Sequence, residues 1–251
     1  MMIWVTPNKF PALSCEGKRE RINNGLKLLV TGVGIHEVIV ETPLHNMTTA
    51  LLPYQDVVDI IKTYKNRFLE GYKDPRIDHI IIFKNHGEGA GTSLEHPHSQ
   101  LISSPVIPIQ IRDRLEAAVH FFDDTGKCLL CMTMEMEKKE GTRIVLETDH
   151  FITFIPYAAL SPFHTWVFPK RHAASFGDIT EEETKDLALN LKTTLAKLYY
   201  GLDNPDYNYC IRSSRPRDAD SEYFHWYLSI TPRLSKAAGF ELGSGMFINA
   251  S

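Results

Sequence analysis

The sequence predicts an α+β protein in which two repeats share one antiparallel sheet with flanking helices. Three observations predict it. The same order of elements occurs twice along the chain, as strand, histidine-bearing turn, helix, strand, polar loop and a second histidine before a β-rich run. The histidine spacing nearly repeats, with 51 residues from His45 to His96 and 53 from His172 to His225. Each repeat supplies a single helix, too few to cover both faces of a sheet of its own, so the two are expected to pool their strands.

In the first repeat, Glu37 to Glu41 alternates as a strand. A helix is expected from about Pro53, where proline suits the first turn, with Val57, Val58, Ile60, Ile61, Tyr64 and Phe68 at helical spacing. A β-rich run, His79 to Phe83, leads into a glycine-rich loop, Asn85 to Gly91, and then His96-Pro97-His98-Ser99-Gln100. In the second repeat, strands are expected at Phe151 to Ile155 and Thr165 to Phe168. A helix follows from Thr180, with Glu183 placed to complete a capping box and Leu187, Leu191, Leu195 and Leu198 on one face. Asn208 to Arg212 reads as a strand, and His225 lies on a presumed strand, Phe224 to Ile230. A connector, about 103–142, holds an amphipathic helix near Ile109–Phe122. The expected division is 1–107 for the first repeat and 108–251 for connector and second repeat.

Bulk properties narrow the function. The 251 residues can bury a substantial core. The net charge of -4 comes from interspersed acids and bases. With no basic stripe, nucleic acid is not an expected partner. No stretch approaches the ~20 apolar residues of a membrane span. Residues 1–10 lack the pattern of a signal peptide, so a cytoplasmic location is expected. The cysteines are Cys15, Cys128, Cys131 and Cys210. They do not suggest a disulfide scaffold, and Cys128-x-x-Cys131 suits metal or redox chemistry, or a reduced thiol pair at a turn.

The segment around His98 carries the reactive chemistry. On a strand, alternate residues share a face, so His96, His98 and Gln100 are expected to converge on one side. Imidazole is largely neutral at pH 7 and leaves readily from a phosphoramidate, which suits it as a nucleophile at phosphorus. An amide such as Gln100 can donate to a phosphoryl oxygen without repelling it. Gly87, Gly89 and Gly91 would let a loop bring its backbone N–H groups close to phosphates. The histidine pair also suits a packed turn or two metal ligands.

Phe83-Lys84-Asn85-His86-Gly87, then Gly91-Thr92-Ser93, then His96-Pro97-His98-Ser99-Gln100 resembles the active-site segment of galactose-1-phosphate uridylyltransferases, a branch of the histidine-triad superfamily. Pro7-Asn8-Lys9-Phe10-Pro11-Ala12-Leu13, His36-Glu37-Val38-Ile39-Val40-Glu41, Pro156-Tyr157-Ala158, Phe224-His225-Trp226 with Pro232-Arg233-Leu234, and Gly239-Phe240-Glu241 resemble it too. The resemblance implies two histidine-triad-like repeats, with His98 as the nucleophile that becomes nucleotidylated. It implies that Gln100 and Ser93 hold phosphoryl oxygens, Asn8 and Asn85 bind the nucleoside monophosphate, and Phe240 and Glu241 contact the hexose. On the residues alone, Asn8 suits a turn, Ser93 a loop cap, and Phe240 and Glu241 a surface turn.

The resemblance also implies a structural zinc site of Cys128, Cys131, His172 and His225. Aligning the repeats sets Tyr227 opposite His98, so one half-site keeps a nucleophile, and a second metal using the Tyr227 position is not expected. The family's cysteine partners for His45 and His96, and its nucleotide-binding arginines, fall before Trp4. A truncated product, a natural short form or a fragment of a longer chain would each explain this. The implied activity moves UMP from UDP-glucose to galactose 1-phosphate in two displacements, in a homodimer. An ADP-sugar or dinucleoside-polyphosphate phosphorylase, and an inactive zinc-stabilised nucleotide-binding form, are the competing expectations.

Overall fold

The strands of the first half are β1 (Trp4–Pro7), β2 (Arg21–Asn24), β3 (Lys27–Val30), β4 (His36–Val40), β5 (His79–His86) and β6 (His98–Ser104). Those of the second are β7 (Ile144–Glu147), β8 (Phe151–Phe154), β9 (Thr165–Pro169), β10 (Tyr207–Arg212) and β11 (Tyr227–Pro232). In this computed structural model, which describes residues 3–236 and 238–248, nine strands form one sheet ordered β1-β4-β6-β5-β10-β11-β9-β8-β7. Every pairing in it is antiparallel. β2 and β3 form a separate hairpin.

The repeats meet where β5 pairs with β10, and the strand order reads outward symmetrically from that seam. The expected α+β architecture is therefore what the chain adopts. Helix α1 (Tyr54–Gly71) begins directly after Pro53, and α4 (Glu181–Gly201) begins at a complete Thr180–Glu183 capping box. Such a cap is worth about 1 kcal/mol. The two helices lie side by side on one sheet face. There Val57, Ile61, Tyr64, Leu187, Leu191 and Leu195 belong to one core with the inward residues of the strands.

The connector is more ordered than the sequence suggested. It holds α2 (Ile109–Thr125) and a second helix, α3 (Leu129–Glu140), which starts at Cys128 and carries Cys131 in its first turn. Short α5 (Gly239–Ser244) closes the described chain. Two expectations need correcting. β6 and β11 start at His98 and Tyr227, so His96 and His225 precede their strands. β5 also runs through Asn85 to His86, because both residues pair with β10.

Candidate active site

Strand alternation sorts β6 into two rows. Ser99, Leu101 and Ser103 are buried toward the helices, whereas His98 and Gln100 stand on the opposite face. β5 does the same, with Ile80, Ile82 and Lys84 inward and Phe83 and Asn85 outward. His98 thus has helices behind its strand and a cleft of about 510 Å³ in front, bordered by Asn85, His86, Ser93, His96 and Asp206.

Behind His98 lies a buried polar network. Lys84 Nζ donates to Glu41 Oε2 at 2.7 Å and to the His98 carbonyl at 3.3 Å. Thr49 Oγ1 donates to Glu41 at 3.0 Å, and Ser99 and Tyr64 also bond the carboxylate. Tyr209 joins through Tyr64 at 2.6 Å. Burial alone would push the Glu41 carboxyl up. The Lys84 ammonium and the hydrogen bonds from Lys84, Ser99 and Thr49 outweigh burial and hold it below the ordinary carboxylate range.

His98 Nδ1 lies 2.8 Å from the backbone carbonyl of His96. A carbonyl only accepts, so Nδ1 carries the proton and Nε2 keeps its lone pair. Among the described residues Nε2 has no hydrogen-bond partner. His96 does not share the row of His98. Its Nε2 donates to the Thr42 carbonyl at 2.6 Å, and its Nδ1 lies 3.2 Å from His45 Nδ1. His98 and Gln100 therefore share the sheet face, while His96 meets His98 only at the border of the cleft, whose lining does not include Gln100.

Gln100 is oriented by His36, a residue to which the sequence alone assigned no role. The Ala12 N–H donates to His36 Nδ1 at 3.2 Å, which leaves Nε2–H to donate to Gln100 Oε1 at 2.8 Å. Asn8 Nδ2 donates to the same oxygen at 3.4 Å, and Asn8 Oδ1 accepts from the Phe10 N–H, so Asn8 is a turn residue and a Gln100 contact at once. With Oε1 saturated, the Gln100 amide NH₂ is left to donate. Alternation along β4 could have found His36, since it shares a sheet face with Gln100.

Asn85 Oδ1 accepts from Asn208 Nδ2 at 2.7 Å across the seam. Ser93 is exposed at the cleft rim. The glycine loop is not a phosphate cradle here. Gly89 N–H donates to Asp206 Oδ2 at 2.5 Å, and the amides of Ala90, Gly91 and Thr92 bond within the loop. Gly87, at φ +83°, is required because a Cβ there would lie 1.7 Å from Asp206 Oδ1. His86 stacks on Tyr207 and bonds Asn204. Phe240 and Glu241 sit on exposed α5, where Glu241 lines a separate recess with Arg233 and Lys236 rather than the His98 cleft.

A second cluster lies on the connector side. One ligand atom each from Cys128, Cys131 and His172 fall within 4.8 Å of one another. Cys131 Sγ lies 3.1 Å from His172 Nδ1 and 3.3 Å from His225 Nδ1. His172 Nε2 faces the Ser221 carbonyl at 3.2 Å and His225 Nε2 the Pro169 carbonyl at 2.9 Å, which frees both Nδ1 atoms as ligands. The hydrogen bond from the Cys131 thiol lowers the Cys128 thiol below its ordinary value, which favours the thiolate a metal would bind. Two sulfurs and two such imidazoles make a donor set that suits tetrahedral zinc.

The sequence profile for the galactose-1-phosphate uridyl transferase N-terminal domain matches residues 3–108, and that for the C-terminal domain matches residues 114–240. The chain belongs to the galactose-1-phosphate uridylyltransferase family. Within and around this family, it is 36% identical over 249 residues to an ADP-glucose phosphorylase of Arabidopsis thaliana, covering 98% of this chain and 70% of that protein. It is 29% identical over 225 residues to the galactose-1-phosphate uridylyltransferase of Thermotoga maritima, covering 86% and 70%. With the Schizosaccharomyces pombe uridylyltransferase it shares 33% identity over 177 residues, covering 68% of this chain and 48% of that one. A solved uridylyltransferase superposes with TM-score 0.90 at 30% identity, covering 99% and 82% of the two chains. The Arabidopsis ADP-glucose phosphorylase with bound ADP-glucose superposes with TM-score 0.87 at 34% identity, covering 98% and 77%. Among the described residues, no helix is long and apolar enough to cross a membrane.

Proposed function

We propose that this family member transfers a nucleoside monophosphate from a sugar nucleotide to an acceptor through a covalent adduct on His98. The observation that carries this is the His98 Nδ1 contact to the His96 carbonyl, which reserves Nε2 for attack. Nε2 attacks the α-phosphorus, the N–P bond forms, and the bond to the sugar phosphate oxygen breaks. Sugar 1-phosphate leaves with that electron pair. The carbonyl of His96 stabilises the imidazolium character that develops at Nδ1–H. Gln100 NH₂ and Ser93 donate to phosphoryl oxygens, and Asn8 and Asn85 hold the nucleotide. In the second displacement the acceptor oxygen takes the nucleotidyl group and restores neutral His98.

Two donor and acceptor pairs fit this chemistry. UMP transfer from UDP-glucose to galactose 1-phosphate is supported by the two family profiles. Phosphorolysis of ADP-glucose by inorganic phosphate is supported by the 36% identity to the Arabidopsis phosphorylase. Phe240 and Glu241 contact the hexose in this reading. Because they stand away from the His98 cleft, a second copy of the chain in a homodimer supplies them. The working division is 1–107 for the reactive repeat and 108–251 for connector and second repeat. Zinc held by Cys128, Cys131, His172 and His225 is structural, a closed site that pins α3 to the second repeat.

Intact-protein mass spectrometry decides. A gain of one UMP from UDP-glucose, about 306 Da from covalent nucleotidylation, that disappears in His98→Ala establishes uridylyl transfer. A gain of one AMP from ADP-glucose establishes the phosphorylase reading. Folded protein that gains neither overturns the nucleotidyl-transfer proposal.

A further inference from the structure

The second repeat preserves the positioning parts of the first while exchanging the reactive ones. Gln100 pairs across β6 with Phe83 and Val38, and Ser229 pairs across β11 with Cys210 and Trp166. Ser229 therefore stands where Gln100 stands, and Tyr227 stands where His98 stands. His164 precedes Trp166 by two residues, as His36 precedes Val38.

The hydrogen bonds repeat as well. The Leu160 N–H donates to His164 Nδ1 at 3.2 Å, and His164 Nε2 lies 2.9 Å from Ser229 Oγ. The first repeat has the same pair of contacts, from Ala12 to His36 and from His36 to Gln100. A histidine thus contacts a hydrogen-bonding side chain on the open face in both halves, half-buried in the first and buried in the second. The Trp166 indole N–H also donates to His164 Nε2, at 3.2 Å, so this nitrogen joins Trp166 and Ser229 on the wall of the cavity in front of them.

That cavity holds about 260 Å³, and Arg114, Arg212 and Ser229 line it together with Trp166 and Tyr227. Arg212 pairs with Tyr227 across β11, and Arg114 reaches in from α2. Among the described residues, neither guanidinium has a carboxylate partner or a side-chain hydrogen bond. Burial first, and then Arg212 and Arg114, push His164 down to about 4. The same two arginines act on Cys210 and Tyr227. Two uncompensated cations facing one small aromatic-walled cavity call for an anion. The volume falls below the usual range for ligand pockets, about 300–1,000 Å³, so it suits a sugar monophosphate better than a whole sugar nucleotide.

We propose that the second half-site binds the phosphate monoester of a small sugar, with Arg114 and Arg212 on the phosphate and Trp166 and Tyr227 flanking the sugar, and performs no chemistry of its own. Asn85 lines both this cavity and the His98 cleft, so the two sites share a wall.

The test uses the full chain carrying His98→Ala, which removes covalent chemistry and makes the result independent of the nucleotidyl-transfer reading. Glucose 1-phosphate, inorganic phosphate and UMP are titrated by calorimetry, with tryptophan fluorescence reporting on Trp166. Glucose 1-phosphate is expected to bind tightest and to shift the fluorescence. Arg114→Gln and Arg212→Gln should each weaken it about tenfold, the size expected for losing a hydrogen bond to a charged group. Gln100→Ala, on β6 of the first repeat and outside this cavity, should leave that isotherm unchanged. Arg114 lies exposed on α2, so its substitution tests the site even if Arg212→Gln fails to fold. Failure of all three probes to bind, or binding insensitive to Arg114→Gln, overturns the proposal. Equal affinity for inorganic phosphate overturns its sugar component.

Discussion

Glu41 and Lys84 form an ion pair, 2.7 Å between Oε2 and Nζ, in which the Glu41 side chain is 0% and the Lys84 side chain 2% exposed. Removing one partner strands a buried charge. Lys84→Met is therefore expected to cost about 3–5 kcal/mol in urea unfolding, and Lys84→Met with Glu41→Gln should recover part of that loss. The Glu41 carboxyl is held below its ordinary value, so the pair's stabilisation is complete above the unfolded carboxylate range. It is lost as pH falls through the lowered native value. A Lys84→Met chain as stable as the parent at pH 7 would contradict the network.

In the proposed transfer, His36 acts through Gln100, which it contacts at 2.8 Å, rather than on the reacting atoms. His36→Ala should lower turnover by up to about a hundredfold, the scale of a small misplacement of a reacting group. Gln100→Ala should cost about 10²–10³, as for a lost transition-state donor. His36→Gln, which can still donate to Oε1, should recover much of the rate while urea stability stays near the parent. Equal stability and equal rates for His36→Ala and the parent would remove His36 from the site.

Zinc at the connector is expected at one ion per chain by elemental analysis. Cys131→Ser should abolish it, because Cys131 faces both His172 and His225. Metal removal by a chelator should lower Tm by roughly 5–10 °C, a few kcal/mol for a chain of this size. Protein purified without zinc, or Cys131→Ser protein that retains it, would refute the site.

Acid should weaken the fold below neutral pH through buried neutral histidines. Burial and then nearby arginines push His79 and His164 each down to about 4 from 6.5. The unfolded chain takes up protons that the native state refuses, so stability is full above pH 6.5 and falls progressively toward pH 4. Each residue contributes up to about 3 kcal/mol to that fall. His79→Leu should flatten this limb, and it also removes a ring Nε2 that is buried without a partner. Urea midpoints at pH 7 and pH 5 read the difference.

The sequence foreshadowed the parts of this molecule that periodicity and side-chain chemistry encode. The apolar stripe from Val57 to Phe68 became α1, and the Thr180–Glu183 spacing became a complete cap. The pattern of two repeats became one sheet. What spacing could not reveal was anything set by pairing partners far along the chain. The start of β6 at His98 is decided by its ladder with β4, which turns His96 away toward Thr42. The glycines before it read as a phosphate loop because glycine only grants freedom, and Asp206 uses that freedom. Glu41 directly follows β4 and Lys84 lies in β5, 43 positions on, and only the assembled fold shows that these two charges satisfy each other. Helix α3 was hidden because its apolar and polar residues do not segregate strongly, and its start depends on Cys128 meeting the second repeat.

The seam between β5 and β10 also has a consequence for birth on the ribosome. Asn85 and Asn208, which bond across it, are separated by 123 positions. At ordinary elongation rates β10 emerges on the order of ten seconds after β5. Throughout that interval β5 presents a bare hydrogen-bonding edge rich in isoleucine, a template for pairing with neighbouring nascent chains. Lys84 sits within this strand as a charge that discourages such pairing, and its partners Glu41 and the His98 carbonyl both emerge well before β10, so the centre behind His98 can form while the seam is still open.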